Sequence, residues 1–428
     1  MILPRFGNYQ IGPENSGLGP ARQSPVTSIW PKLQTLERIP MLAIVFLSIT
    51  VDLIGFGIVI PLLPFYAASF GADPLAIALL ASVFSIAQFI SAPLLGGLTD
   101  RVGRRKVFLI CTALSCIGYL GLAFADTLLL VFLARIVNGI GAGKISIAQA
   151  IVADCTTPET RARGMGMVGA AFGLGMVLGP VLGGLLTGPD PLNPNFHLPA
   201  LAAAAASLCA LVLASLRLRE TLVLGQSAAA PRRGLNPLAG LGSIGKPALV
   251  LILMHFSVSY VFSQIEVLFP LFTAQRFNWH AFEVGIAFAC IGLVVLAVQG
   301  GLIGPVTRLF GENALMRTGL LGLAAGTLMV IWVQDLPMLA LSILLTSASF
   351  AFINPSLSSL ISRAAGIDQQ GLVLGMSQSM AALGRVLGPL QGGWLFQAVS
   401  IEAPYLVCGV LLLLTLLLAL LFIRRPDA

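Results

Sequence analysis

The sequence predicts an all-α integral membrane protein of twelve transmembrane helices, built as two pseudo-symmetric six-helix bundles. Composition is the first observation behind that fold. Of the 428 residues 57% are hydrophobic and only 10% charged, against roughly 25% charged in soluble globular chains. Apolar runs close to the ~20 residues that cross a bilayer recur from Met41 to Ile423, so a soluble fold is excluded. The second observation is a repeat. Gly175-Met-Val-Leu-Gly179-Pro180-Val-Leu-Gly183-Gly184 returns 209 positions later as Gly384-Arg-Val-Leu-Gly388-Pro389-Leu-Gln-Gly392-Gly393, with seven of ten positions identical. The third is charge: of 24 Lys and Arg, twenty fall on one side of the predicted spans, three inside them and one, Arg276, on the other. Such a bias marks the cytoplasmic side, so both termini are expected there. The net charge of +7 then reports orientation, not nucleic-acid binding.

In chain order, residues 1–40 read as a polar cytoplasmic leader, mostly without regular structure and with no signal peptide. Spans are predicted near 41–66, 75–98, 107–125, 128–153, 163–187 and 199–217, which make the N-terminal half, 41–217. A cytoplasmic linker, 218–247, leads to a C-terminal half, 248–423, with spans near 248–272, 281–304, 314–333, 337–362, 371–398 and 403–423, and then to a tail, 424–428. Gly and Pro inside these spans do not exclude helices, because neighbouring helices satisfy the freed backbone groups. A second repeat supports the duplication: Gly96-x-x-x-Asp100-Arg101-x-Gly103 between spans 2 and 3 faces Gly304-x-x-x-Arg308-x-x-Gly311, 208 residues on. The second copy carries Arg308 where the first has Asp100, so its charge role has decayed or inverted.

Charges inside spans are costly and default to functional candidates. Asp52 lies about 16 Å deep, counted from Met41, and Arg135 about 10 Å deep, counted from Leu128 on the opposite side. The two are therefore expected at comparable depth, as direct or water-bridged partners in one cavity; a purely structural ion pair is the competing account. Glu266 is predicted in the outer third of span 7, either as a substrate contact or second proton carrier, or as an acid snorkelling to the interface. Arg385 lies about 20 Å into span 11, placed to partner Glu266 or to hold an anionic substrate group. Lys144 is expected to snorkel and receives no role, Glu283 to cap a helix, and His255 to serve packing before proton relay. Among neutral polar residues in spans, Gln88, Asn138 and Gln264 are the cavity candidates, with Gln149, Gln299, Asn354 and Gln378 unsorted. The aromatics Phe256, Tyr260 and Phe262 read as packing before cavity wall. The six cysteines form no CxxC or Cys/His cluster and read as free thiols, with no metal and no cofactor expected.

These motifs resemble those of the major facilitator superfamily over about 41–423. Gly96, Asp100, Arg101, Gly103 and Arg104 are similar to its motif A, which implies a cytoplasmic latch between the halves. Leu133-Ala-Arg135-Ile-Val-Asn138-Gly139 is similar to its motif B. Asp52-Leu-Ile-Gly55-Phe-Gly57-Ile-Val-Ile-Pro61 resembles the first-helix signature of drug/proton antiporters. Gly175, Gly179, Pro180, Gly183 and Gly184 resemble motif C, the antiporter signature. The stretch Ile151-Val-Ala-Asp154 to Arg163 is similar to the tetracycline/proton antiporter branch, as is Gly301-Leu-Ile-Gly304. The resemblance implies the major facilitator fold and a secondary active transporter, a proton-coupled antiporter that exports a small amphipathic drug or metabolite by alternating access. It further implies a multidrug-efflux or antibiotic-resistance role, in a bacterial inner membrane as the plasma membrane, with protons and a small molecule as its partners and a monomeric state. Asp52 with Arg135, and Glu266, are then the proton-coupling candidates. The sequence departs from the tetracycline exporters at span 3, where their acid falls near Gly118, and in spans 8 and 9, which lack their His and acid. A metal-chelated tetracycline is therefore a poor substrate expectation. A proton symporter or uniporter importing a solute, and a non-transporting sensor, are the competing functions. An enzyme is not expected, since no Ser/His/Asp grouping, HExxH or paired carboxylate site is present.

Overall fold

Long apolar stretches fold as helices in a bilayer because each helix satisfies its own backbone groups, and in the computed structural model the regular structure among the described residues is helical. It describes residues 25–156, 158–188, 190, 194–221, 245–364 and 370–422, with side chains from Met41 onward except those of 100, 158–166, 169, 172 and 370–372. No strand occurs among the described residues. The chain divides into two units, Met1–Pro40 and Met41–Ala428. The first part of the expected leader, most of the expected linker and the tail lie outside the described residues. Residues from Pro25 are helical, where the sequence predicts no regular structure; a Pro in the first helical turn forfeits no hydrogen bond.

The helices follow the order of the predicted spans, with breaks at identifiable residues. Helix α1 (Pro25–Val59) stops ahead of Pro61 and Pro64, and the short α2 (Leu63–Ser69) completes the expected first span. Both prolines lack the N–H that would continue the helix. Then come α3 (Pro74–Val102), α4 (Arg104–Ala123), and the fourth span as α5 (Leu128–Ala142) and α6 (Lys144–Cys155), parted at Gly143. Helices α7 (Pro158–Thr187) and α8 (His197–Arg217) finish the first half. The second half holds α9 (Lys246–Phe277), then α10 (Ala281–Ala297), a π-helical segment at Val298–Leu302 and α11 (Ile303–Phe310) as one interrupted span. It closes with α12 (Glu312–Met329), α13 (Leu336–Ala364), α14 (Gln370–Ala398) and α15 (Ala403–Phe422). Among the described residues ten helices are long and apolar enough to cross a membrane, and Gly173–Thr187 of α7 is a shorter apolar stretch.

The duplicated glycine segment shows why it was duplicated. A methyl at Gly57 would overlap the carbonyl oxygen of Gly175, one at Gly179 the backbone of Gly57, and one at Gly183 the carbonyl of Ile58. In the second half Gly384 and Gly388 press in the same way on the Phe256 and Tyr260 carbonyls of α9, and Gly392 on the Gln264 side chain. Small residues let helix backbones approach to this distance. The fourth glycine of each copy reaches the other half. Gly184 meets Gly285 of α10 and Gly393 meets Pro74 and Ala78 of α3. Ser82 Oγ donates to the Val386 carbonyl at 2.9 Å and Gln397 Nε2 to Asp73 Oδ2 at 3.1 Å across the α3–α14 seam. Those contacts lie toward the end opposite the basic residues. At the basic end no atom lies within 4 Å of where a Cβ would stand on Gly96, Gly97, Gly300, Gly301, Gly304 or Gly375, and α11 buries no residue. The halves therefore join at one end and part at the basic end.

Substituting Gly57 by Val is expected to destabilise the protein by about 1–3 kcal/mol, because the clash is with backbone that has no rotamer to adjust. Gly96→Val, with open space at its Cβ, is the control. Thermal unfolding in detergent should lower the midpoint for the first and leave the second near wild type.

Candidate functional site

Asp52 sits midway along α1 and points into the first half. Its carboxylate is 2.5 Å from Lys144 Nζ and accepts from Ser207 Oγ of α8 at 2.8 Å. Lys144 Nζ also donates to Ser115 Oγ of α4 at 2.8 Å. Asp52 and Lys144 are 7% and 3% exposed, so the pair is a buried one, joined to four helices of a single half. This corrects two expectations. Lys144 does not snorkel, and the ion-pair partner of Asp52 is Lys144, not Arg135. Lys144 is the first residue of α6, directly after Gly143, and its side chain is buried. A signal for it was present in the sequence. Lys144 precedes Cys155 by the same eleven residues that separate Asp52 from Met41, so both lie about 16 Å from the same end.

Arg135 is 4% exposed on α5 and lies over the Phe84 ring, 4.3 Å from its centroid. Phe84 is itself packed against Phe56 at 5.6 Å. The Nε and Nη1 of Arg135 are buried without a hydrogen-bond partner. Its electrostatic neighbours are Tyr119 of α4 and Glu266 of α9, and Glu266 also interacts with Arg385 of α14. Glu266 and Arg385 are half-buried. Two cations and one anion, contributed by both halves, are thus within electrostatic reach of one another, apart from the Asp52–Lys144 pair. Glu266, half-buried on α9, lies within electrostatic reach of both arginines.

Several other expected residues tie helices together. Gln264 Nε2 donates to the Pro404 carbonyl at 2.8 Å, and His255 shares a 2.6 Å hydrogen bond with Ser377 Oγ. Glu283 accepts from the His280 N–H at 2.9 Å in the expected cap. Phe262 stacks on Phe350 at 4.0 Å. Gln88 is half-buried, while Gln149 and Gln378 are exposed. Asn138, 3% exposed, has both side-chain polar atoms without a partner and fills the space beside Gly118 that a side chain there would need. The four buried cysteines and the exposed Cys209 and Cys290 are free thiols.

At the basic end Gly103 and Gly311, the paired turn glycines of the second repeat, both hold positive φ, +100° and +77°. The Asp100 side chain lies outside the described residues and Arg101 is exposed. Arg104 bonds Asp154 at 2.9 Å, within its own half. Glu220, unnoticed in the sequence, caps α4 by accepting from the Arg104 and Arg105 backbone N–H groups at 2.8 and 3.2 Å. The second half carries the same strut with charges exchanged: Glu312 meets Arg363 at 3.3 Å. Arg104 to Glu312 is 208 positions and Asp154 to Arg363 is 209, so the inversion seen at Asp100 and Arg308 extends to the ion pair.

Comparison with known proteins follows the same lines. The sequence profile of the Major Facilitator Superfamily matches residues 45–305 and 297–428. Major facilitator superfamily domain-containing protein 10 of Bos taurus is 32% identical, over 87% of this chain and 91% of its own length. Tetracycline resistance protein, class C, of Escherichia coli is also 32% identical, over 82% of this chain and 88% of its own. The crystal structure of the human organic anion transporter MFSD10 (TETRAN) superposes with a TM-score of 0.69 at 29% identity, covering 89% of this chain and 99% of that one.

Proposed function

The chain belongs to the major facilitator superfamily, whose members are membrane transporters and not enzymes, and from that premise we propose that it is a proton-coupled antiporter exporting a small amphipathic organic anion by alternating access. One observation carries the reading: two separate charge groups occupy the membrane interior. Asp52 with Lys144 lies within the first half, a setting suited to a carboxylate that gains and loses a proton. Arg135, Glu266 and Arg385 are drawn from both halves and carry a net positive charge, which suits an acid group on a substrate. Glu266 balances one arginine while the site is empty and is the second proton-coupling candidate. The similarity to a human protein described as an organic anion transporter supports this substrate class, and the similarity to tetracycline resistance proteins supports export. Gly118 carries no side chain where the tetracycline exporters carry an acid, and the Asn138 side chain occupies the adjoining space, which supports a cargo other than a metal-chelated drug. In this reading the basic end faces the cytoplasm of a plasma membrane, the structure is the inward-open state, and Gly96, Asp100, Arg101, Gly103 and Arg104 latch the halves when that end closes.

The test is reconstitution into proteoliposomes with an imposed pH gradient and a panel of acidic, neutral and cationic dyes and drugs. Acidic amphiphiles are expected to move against the proton gradient and to stop when a protonophore collapses it. Movement indifferent to the gradient would overturn antiport, and movement confined to cations would overturn the organic-anion assignment.

A further inference from the structure

We infer that the two struts of the basic end join when that end closes: Asp154 of α6 and Arg363 of α13 pair across the opening, so that Arg104, Asp154, Arg363 and Glu312 make one chain of alternating charge. The inference rests on the alternating-access reading and is independent of the coupling ion and of the cargo.

The seams show how the halves are related. Gly184 of α7 meets Gly285 of α10. Moving 209 positions forward takes Gly184 to Gly393, and moving 209 back takes Gly285 to Ala76, which lies between the Pro74 and Ala78 that Gly393 touches. One seam is therefore the image of the other, and positions 209 apart stand opposite each other about a two-fold along the bundle. Asp154 and Arg363 are such a pair. Each is the more exposed member of its strut, at 27% and 73% of the side chain, while Arg104 and Glu312 lie behind them. Five residues deeper on the same two helices, Gln149 and Ser358 form a second pair 209 apart. Both are exposed polar residues in apolar spans, the positions that line a water-filled cavity.

The signs of the charges carry the rest. A second half with the charges of the first would set a carboxylate against Asp154 on closing. Three charges are reversed instead: Asp100, Arg104 and Asp154 correspond to Arg308, Glu312 and Arg363. Opposite charges at matched positions attract across the axis, where identical ones repel. Neither strut has to break for the two to join. Thr221 Oγ1 donates to Asp154 Oδ2 at 3.1 Å and Ser359 Oγ to Glu312 Oε1 at 2.8 Å, so each strut is held within its own half.

The test needs no transported ligand. In the reconstituted full chain, with Cys209 and Cys290 replaced, cysteines at Gln149 and Ser358 report by copper-phenanthroline oxidation how often α6 and α13 meet. Asp154→Arg and Arg363→Asp are each expected to slow the cross-link by roughly two- to fivefold, the range of one exposed ion pair. Asp154→Arg/Arg363→Asp is expected to restore it, although both struts stay broken in that variant. A role confined to the separate struts predicts a double variant at least as slow as either single one, and that result overturns the inference. Absence of the cross-link with the native charges overturns it too. Should charge reversal prevent folding, Asp154→Asn, Arg363→Gln and their combination take its place; non-additive slowing supports the pair and additive slowing overturns it. Alternating access itself is judged separately, by bridging the outer seam.

Discussion

Replacing Asp52 by Asn is expected to abolish accumulation against a gradient while leaving substrate exchange intact. The amide keeps the shape of the carboxylate and still accepts from Ser207, but it has no proton to give or take. Each pH unit across the membrane is worth about 1.4 kcal/mol per proton, about tenfold in accumulation when one proton is exchanged per substrate molecule. Without the titrating group that driving force is disconnected, and the accumulation ratio should fall to one. Counterflow needs no net proton movement and should continue. The variant also strands Lys144 as a buried charge, at a cost of about 3–5 kcal/mol, so lowered thermal stability should accompany the uncoupling. Proteoliposome uptake with and without the gradient checks the first part, and thermal unfolding in detergent checks the second. Full gradient-driven transport by Asp52→Asn would remove Asp52 from the mechanism.

Locking the end at which the halves meet is the second large effect. Asp73 and Gln397 face each other across the α3–α14 seam at 3.1 Å. With cysteines at both positions, and Cys209 and Cys290 replaced because they are exposed, a short bifunctional methanethiosulfonate should bridge the seam. Alternating access requires this seam to open once per cycle. Transport by the bridged protein is therefore expected to stop, and to return on reduction of the bridge. The same double variant without reagent should transport, since the native contact is one hydrogen bond of roughly 0.5–1.5 kcal/mol. Unchanged transport by fully bridged protein would mean that the seam does not open.

The periodic features of this molecule were legible before any coordinates. Span positions follow from apolar length, and the paired roles of Gly179 and Gly388 follow from a 209-residue repeat that the packing reproduces glycine by glycine. The site was read in part. Arg385 lies within electrostatic reach of Glu266, one of its two expected roles, whereas Arg135 was matched to Asp52 on depth alone. Depth along a helix axis is encoded in residue count, but azimuth across a bundle is not, and it is Lys144 that faces Asp52. Glu220 could not be anticipated either, because its cap on α4 joins positions more than a hundred residues apart.

By itself, then, the sequence determined an all-helical, multi-span membrane chain of two similar halves, because transfer into lipid depends on composition summed along each segment. Only the tertiary structure decided which charges meet. Lys144 with Asp52 is selected by how the helices of the first half are rotated and packed, and in a low-dielectric interior a few ångströms of such rotation separate a paired charge from a stranded one.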